Sequence, residues 1–339
     1  MADTAANYRA GAVYALATIA LLSAQHPFSL PAAQRLGVVN FVFASQVIIL
    51  CSVPLLLRTA VARRDFRKLL SSAANYKYFL VLLLVGLGNH ILYFVALGKA
   101  HPITIAAVMN LSPFWAALVA GVVARRTIPT SYGVFFLCLI VAFAGAMLIA
   151  VSQTRDATLS LSDLGGLSPA WLFAVPVPIL FALSGTLIEK WFADYDEMAC
   201  IAVTFVTASL VLIPVTATAS YLRSDLLVLP DAGSALLLLA VGTILGSAFG
   251  LVLYQISLAA TGNDNGFVSM FFLLGPGLTA LLSLALSPWL PQLKFPVGPL
   301  FFAGLLMVAI PILVFSWHAQ RGKPKPGPRA GRVTDALAR

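Results

Sequence analysis

Few residues in this sequence are placed to do chemistry. His90, beside Asn89, lies inside an apolar run, and Tyr93 follows three positions later, one turn along the same helical face. A neutral imidazole donates one hydrogen bond and accepts another, and its ordinary pKa of about 6.5 suits it to proton traffic. The same ring can equally be tied to a neighbouring carbonyl and serve only packing. Asn110 stands three residues before Pro113, which has no N–H to offer and so frees the carbonyl one turn back. Its amide either satisfies that backbone or faces a substrate. Glu189 closes another apolar run beside Lys190 and Trp191, where a carboxylate is either a coupling or gating group or an ordinary interfacial charge. Cys51, Cys138 and Cys200 form no CxxC pair, so they read as packing residues rather than a disulfide framework or a zinc site. HExxH, GxSxG and P-loop motifs are missing, so neither an enzyme nor a cofactor is expected, and no acidic pair inside a run could hold a metal.

These groups sit in ten apolar stretches, at roughly 10–25, 36–57, 78–98, 103–124, 131–151, 170–188, 198–220, 234–258, 266–287 and 298–317. None contains Asp, Glu, Lys or Arg. About 20 apolar residues at 1.5 Å each cross a hydrocarbon core of roughly 30 Å. The chain is 60% hydrophobic and 10% charged, against about 25% charged in ordinary soluble domains. A transmembrane barrel would alternate polarity over about ten residues instead. The fold class predicted is therefore an all-α polytopic membrane protein with ten transmembrane helices. Pro176 and Pro178 should bend the sixth. Gly242, Gly246 and Gly250 form a small-residue stripe on the eighth, suited to close helix packing first and to hinging second. Asn40 and Gln46 on the second read as packing groups. Asn263-Asp264-Asn265 reads as a capping turn. The tail 319–339 is basic and rich in Pro and Gly, which predicts disorder and at most contact with anionic lipid.

The net charge of +9 reads as topology rather than as nucleic-acid binding. With both termini cytoplasmic, the inside segments hold 16 of the basic residues and the outside segments 5, the bias that the positive-inside rule requires. The first stretch imitates a cleaved signal peptide through Arg9, Ser23 and Ala24. It is read as a retained helix because its loss would break an internal repeat. Pro54 matches Pro214, Tyr93 matches Tyr254, Leu97 matches Leu258, Pro113 matches Pro276 and Gly133 matches Gly298, at offsets rising from 160 to 165. Two five-helix units follow, at 1–151 and 170–318, joined by an outward linker at 152–169. An odd number of helices per unit inverts the second unit, an arrangement common in secondary transporters.

The stretch Tyr93–Ala100, the turn after it and Leu111-Ser112-Pro113-Phe114-Trp115 resemble the EamA-type unit of the drug/metabolite transporter superfamily. The glycine-rich helix from Gly133 to Ala150 fits that unit's last span, and Leu253–Leu258 with Leu274-Gly275-Pro276 echo the motif in the second half. The resemblance implies a cavity ringed by the first, third, fourth, sixth, eighth and ninth spans, and a role in moving metabolites, often outward. Tyr14, His90, Tyr93, Asn110, Ser184, Ser247, Tyr254 and Ser269 are then the candidate substrate-binding residues, with His90 and Glu189 the candidates for coupling or gating. Gln255 adds an amide to the same set. Each hydroxyl or amide is equally suited to interhelical bonding.

A charge at mid-membrane costs about 2.5–3.5 kcal/mol, and no stretch carries one. The expected substrate is therefore neutral, zwitterionic or amphipathic, an amino acid or related metabolite, moved across the inner membrane. The expected partners are that substrate, the lipid bilayer and, if transport is coupled, protons. Nucleic acid is not expected, and the chain reads as a monomer or homodimer. A lipid-processing membrane enzyme is the alternative, resting on His90. Topology is open to a direct check. In a variant without the native cysteines, Ser160→Cys should react with an impermeant thiol reagent on intact cells and Ser71→Cys should not.

Overall fold

The computed structural model describes residues 7–97, 100–125, 128, 130–153, 173–222, 232–261 and 265–321. Most of the expected linker, the tail beyond 321, Lys99, Arg126 and the Asn263-Asp264 turn lie outside the described residues. The helices are α1 (Tyr8–Leu56), α2 (Ala60–Ser71), α3 (Tyr76–Leu97), α4 (Pro102–Met109), α5 (Ser112–Val123), α6 (Tyr132–Ser152), α7 (Pro176–Trp191), α8 (Glu197–Leu222), α9 (Ala232–Thr243), α10 (Leu251–Ala260), α11 (Asn265–Met270), α12 (Gly275–Leu286) and α13 (Pro299–Arg321). A π-helical segment, Ile244–Gly250, joins α9 to α10, and a 3₁₀ turn, Phe271–Leu274, joins α11 to α12. No strand occurs among the described residues. Seven of the helical segments are long and apolar enough to cross a membrane. Their outward faces carry exposed Leu84, Leu137, Ile140, Leu210, Leu281 and Ile310, which only lipid would cover. This is a polytopic helical membrane protein.

α1 is two helical limbs. Gly37, at φ 71° and ψ 160°, leaves the helical region between them, a conformation that a residue without Cβ adopts at no steric cost. The chain reverses there. Leu22 lies against Gly250 and Arg35 bonds Ser234, while Val53, far beyond the turn, clusters with Val252. The 8–36 limb therefore runs antiparallel to the α9–α10 rod, and the 38–56 limb returns to the same end. The second limb lies along α8 through the polar pairs Asn40–Ser220 and Gln46–Ser209, at 2.9 and 3.0 Å. Interhelical hydrogen bonds of this kind hold membrane helices where the hydrophobic effect cannot.

Small residues set the closest approaches. A Cβ on Gly246 would overlap the Gln25 side chain, one on Gly242 would stand 3.1 Å from Phe28, and one on Gly250 3.2 Å from Leu22. The glycine stripe is thus the surface against which the 8–36 limb packs. α6 and α13 cross through Gly145 and Gly304, where an added Cβ on either would lie 2.7 Å from the other's carbonyl oxygen. About 15 Å along the same pair of helices, Phe114, Phe135 and Phe315 pack together with ring centroids 5.0–5.9 Å apart.

Two expectations change. Pro176 and Pro178 do not bend a helix: α7 begins at Pro176, where the missing N–H removes a donor that the first turn would have left unpaired anyway. Cys51 is exposed, whereas Cys138 and Cys200 are buried, and all three are free thiols. The 58–77 connection carries an amphipathic helix, α2, whose buried face is Ala62, Asp65 and Leu69.

Gly145→Ala should cost roughly 1–3 kcal/mol because the clash is with backbone. Gly133→Ala, with nothing within 4 Å of its Cβ, should be neutral or gain up to about 1 kcal/mol. Melting in detergent separates the two, and equal melting points would contradict the packing described.

Candidate functional site

Several prolines lie inside or at the start of helices in the apolar slab, and three of them free a carbonyl four residues back that finds a defined new donor. Pro113 orphans Met109, and the Ser112 hydroxyl donates to that carbonyl. Pro27 orphans Ser23, and Thr279 Oγ1 donates to it from α12 at 3.3 Å. Pro276 orphans Phe272, which accepts from the Gly275 N–H. Gly275's own carbonyl accepts from Ser23 Oγ at 3.2 Å. The amide of Asn110 lies against Gly275, 3.2 Å from where a Cβ would stand. The broken helix pair α4–α5 therefore meets the broken pair leading into α12 at their breaks, with the 8–36 limb beside them. The two matched motifs, Leu111-Ser112-Pro113 and Leu274-Gly275-Pro276, face one another there.

The sequence left Asn110 between repairing the backbone and facing a substrate. Ser112 takes the repair, so the Asn110 side chain is directed at the other half of the molecule. His90 has its Nδ1 2.8 Å from the Gly86 carbonyl and its ring edge-on to Phe94. Tyr93, one turn on, reaches across to the 8–36 limb: its hydroxyl lies 2.9 Å from His26 Nδ1. His26 was missed by the sequence reading, which ended the first apolar stretch at residue 25. The helix runs on through Pro27 and Pro31. No spacing in the sequence marks His26; its place follows from the helix running on to Gly37.

The remaining candidates fall elsewhere. Tyr254 packs edge-on to Phe272 at 5.9 Å and lies within electrostatic reach of Glu197, whose carboxylate also accepts a bond from Gln255. Glu189 is exposed at the same end and shares the field of Glu197. Tyr14 is partly exposed one turn below Thr18, whose hydroxyl donates to the Tyr14 carbonyl. Ser184 and Ser247 are half-buried on α7 and on the π segment. Ser269 lies on α11, and its side chain is outside the described residues. The structure thus joins His26 to Tyr93, leaves His90 one turn away on α3 and sets Asn110 against Gly275, and it groups Tyr254 with the carboxylates at the end of the bundle. Among the described residues no group of three or more His, Cys, Asp or Glu could hold a metal ion.

The two ends of the bundle differ. At the end opposite the N-terminus, Leu30, Leu290 and Leu293 form a buried apolar plug with Leu238 and Leu286 around it. His101 caps α4 there: its Nδ1 accepts from the Ile103 N–H and its Nε2 donates to the Leu293 carbonyl, both at 3.4 Å. Burial pushes this imidazole down to about 4, so it is neutral near pH 7. At the N-terminal end, a cavity of about 470 Å³ opens between α5 and α7, lined by Val123, Ala124, Arg125, Thr186 and Lys190. Lys190 Nζ donates to the Val123 carbonyl at 3.2 Å and so caps α5, a favourable place for a cation.

Comparison with known proteins gives the fold and no more. No family model and no curated protein matches this chain. Thirteen chains of solved structures do. One, described as "Crystal structure of protein", is 17% identical with a TM-score of 0.50, over 90% of this chain and 97% of that one.

Asp196 starts α8 by accepting from the Ala199 N–H at 3.2 Å, while its own N–H donates to Asp65 at 3.1 Å. Burial holds its carboxyl above the ordinary value of 3.8, with Asp65's charge adding to the shift and the Ala199 and Met198 bonds opposing it. A raised folded pKa gives stability that is full below the unfolded value and lost as pH rises through the folded one. Asp196→Asn keeps the capping oxygen without the charge, so it should melt above wild type at pH 7 and converge with it toward pH 4. Asp196→Ala loses the cap and should fall by about 1 kcal/mol. Thermal melting across this pH range reads both.

Proposed function

We propose that this chain is a secondary transporter of the drug/metabolite type, built as ten membrane helices in two inverted five-helix units. It moves a small neutral, zwitterionic or amphipathic metabolite by alternating access, and outward flux is the direction the resemblance favours. The inner membrane with both termini cytoplasmic is the setting that the charge bias supports.

One observation carries this reading: the packing repeats with a shift of five. If the apolar stretches are counted one to ten, stretch one lies on eight (Gln25 on Gly246) as six lies on three (α7 on α3). One lies on nine (Ser23 with Gly275) as six lies on four (α7 on α5). Two meets eight (Val53 with Val252) as seven meets three (α8 on α3). The pairs two with seven, four with nine and five with ten map onto themselves (Gln46 with Ser209, α4 with α12, α6 with α13). Such a pattern belongs to two like units related by a pseudo-two-fold axis in the membrane plane, with substrate sites where broken helices meet at mid-depth. The proline seam at Asn110 and Gly275 has that character. We place the substrate beside it, with Tyr93 and His26 as polar contacts and His90 a turn away.

The test is reconstitution in lipid vesicles with a screen of labelled amino acids and related metabolites. Flux of at least one is expected, impaired more by His90→Ala than by Glu189→Gln, with Tyr93→Phe also impaired. Turnover of a lipid without flux of any solute would overturn the reading in favour of a membrane enzyme. Flux unchanged in His90→Ala from about pH 5.5 to 8 would remove His90 from proton coupling.

A further inference from the structure

We propose that the basic face of α2 is a binding site for the headgroups of anionic phospholipid in the leaflet at the N-terminal end of the bundle. α2 is fixed to the protein by one face. Ala62 and Leu69 are fully buried, and Leu69 clusters with Leu187 and Phe192. Asp65, 5% exposed, accepts from Arg64 Nε at 3.0 Å and from the Asp196 N–H. The opposite face presents Arg63, Arg64, Arg67 and Lys68, all exposed, with Arg58 just before the helix and Lys77 just after. Arg64–Asp65 is the one salt bridge among the described residues. The helix therefore shows a strongly cationic surface whose one acid is buried and already engaged.

Depth fixes the partner. α2 joins the end of α1 at Leu56 to the start of α3 at Tyr76. Asn75 Nδ2 donates to the Leu69 carbonyl and the exposed Tyr76 hydroxyl donates to the Leu70 carbonyl, at 3.4 and 3.2 Å. Tyrosines at the end of a membrane helix sit at headgroup level, so these two bonds hold the C-terminal turn of α2 at that level. Cation clusters on an amphipathic helix at this depth meet the phosphates of acidic lipid, and each contributes about fivefold to binding. An acidic soluble protein would have to reach this face from above. A headgroup is already beside it.

The experiment uses the full chain in nanodiscs of phosphatidylcholine alone and of phosphatidylcholine mixed with phosphatidylglycerol. Amide hydrogen exchange over 60–71 is the readout. Phosphatidylglycerol should slow that exchange by about fivefold or more, and high salt should abolish most of the difference by screening. The combined variant Arg63→Gln, Arg67→Gln, Lys68→Gln should exchange as wild type does in phosphatidylcholine and lose most of the phosphatidylglycerol effect. Equal exchange in the two lipids would overturn the proposal, as would a phosphatidylglycerol effect that the variant keeps. Protection by added polyglutamate in phosphatidylcholine discs, matching that by phosphatidylglycerol, would assign the face to an acidic protein instead. If the variant does not fold, the wild-type salt titration decides: protection that high salt leaves intact also overturns it.

Discussion

A backbone carbonyl inside lipid has no water to turn to, and each unpaired one costs several kcal/mol. That constraint organises the centre of this molecule. Pro27, Pro113 and Pro276 each remove one donor, and each loss is made good by a neighbour: Thr279 from another helix, Ser112 from the same turn, the Gly275 N–H from a 3₁₀ closure. One repair stays within a helix turn and another bridges two helices. The interhelical one joins the 8–36 limb to α12 with directional geometry. Breaks that would weaken isolated helices thus become the points at which helices are joined.

The same repairs sort the polar residues. A hydroxyl that answers an orphaned carbonyl is committed to structure, which accounts for Thr279 and Ser112. Gln46, Asn40, Ser209 and Ser220 are committed to each other along the contact between the second limb and α8. Left along the seam are the Asn110 amide against Gly275 and the His26–Tyr93 bond linking the 8–36 limb to α3, with His90 one turn from Tyr93 and Asn89, Trp115 and Ser283 carrying buried polar atoms without a bond partner.

Much of the framework was legible in the sequence because lipid imposes length and apolarity on every helix that enters it. The glycine spacing of Gly242, Gly246 and Gly250 gave the close packing, though not its partner. Pro113 gave the orphaned carbonyl, though not that Ser112 rather than Asn110 would answer it. A rotamer settles that choice, and spacing does not encode rotamers. His26 lay just past the first apolar stretch, which was closed at residue 25 before Pro27. In a membrane the helix continues, and the reversal falls ten residues later at Gly37. No apolar run in the sequence marks α2. Its apolar face is Ala62, Leu69 and the flanks of Phe66 and Leu70, with Asp65 standing where a hydrophobe would be expected.

The π segment bears on the glycine stripe in a way that spacing alone hides. Residues four apart on an α-helix overshoot one full turn by about 40°, so a stripe at Gly242, Gly246 and Gly250 would spiral away from any straight neighbour. A wider turn holds more residues, and there a four-residue step falls short of a full turn. The widening covers Ile244–Gly250, the stretch that carries the second step. The two rotations oppose one another, and the three glycines return toward a single line. That line is what lets Phe28, Gln25 and Leu22 follow one another down it. The irregularity in one helix is therefore a gear-tooth correction, matching the pitch of its small-residue track to a helix that turns at a different rate.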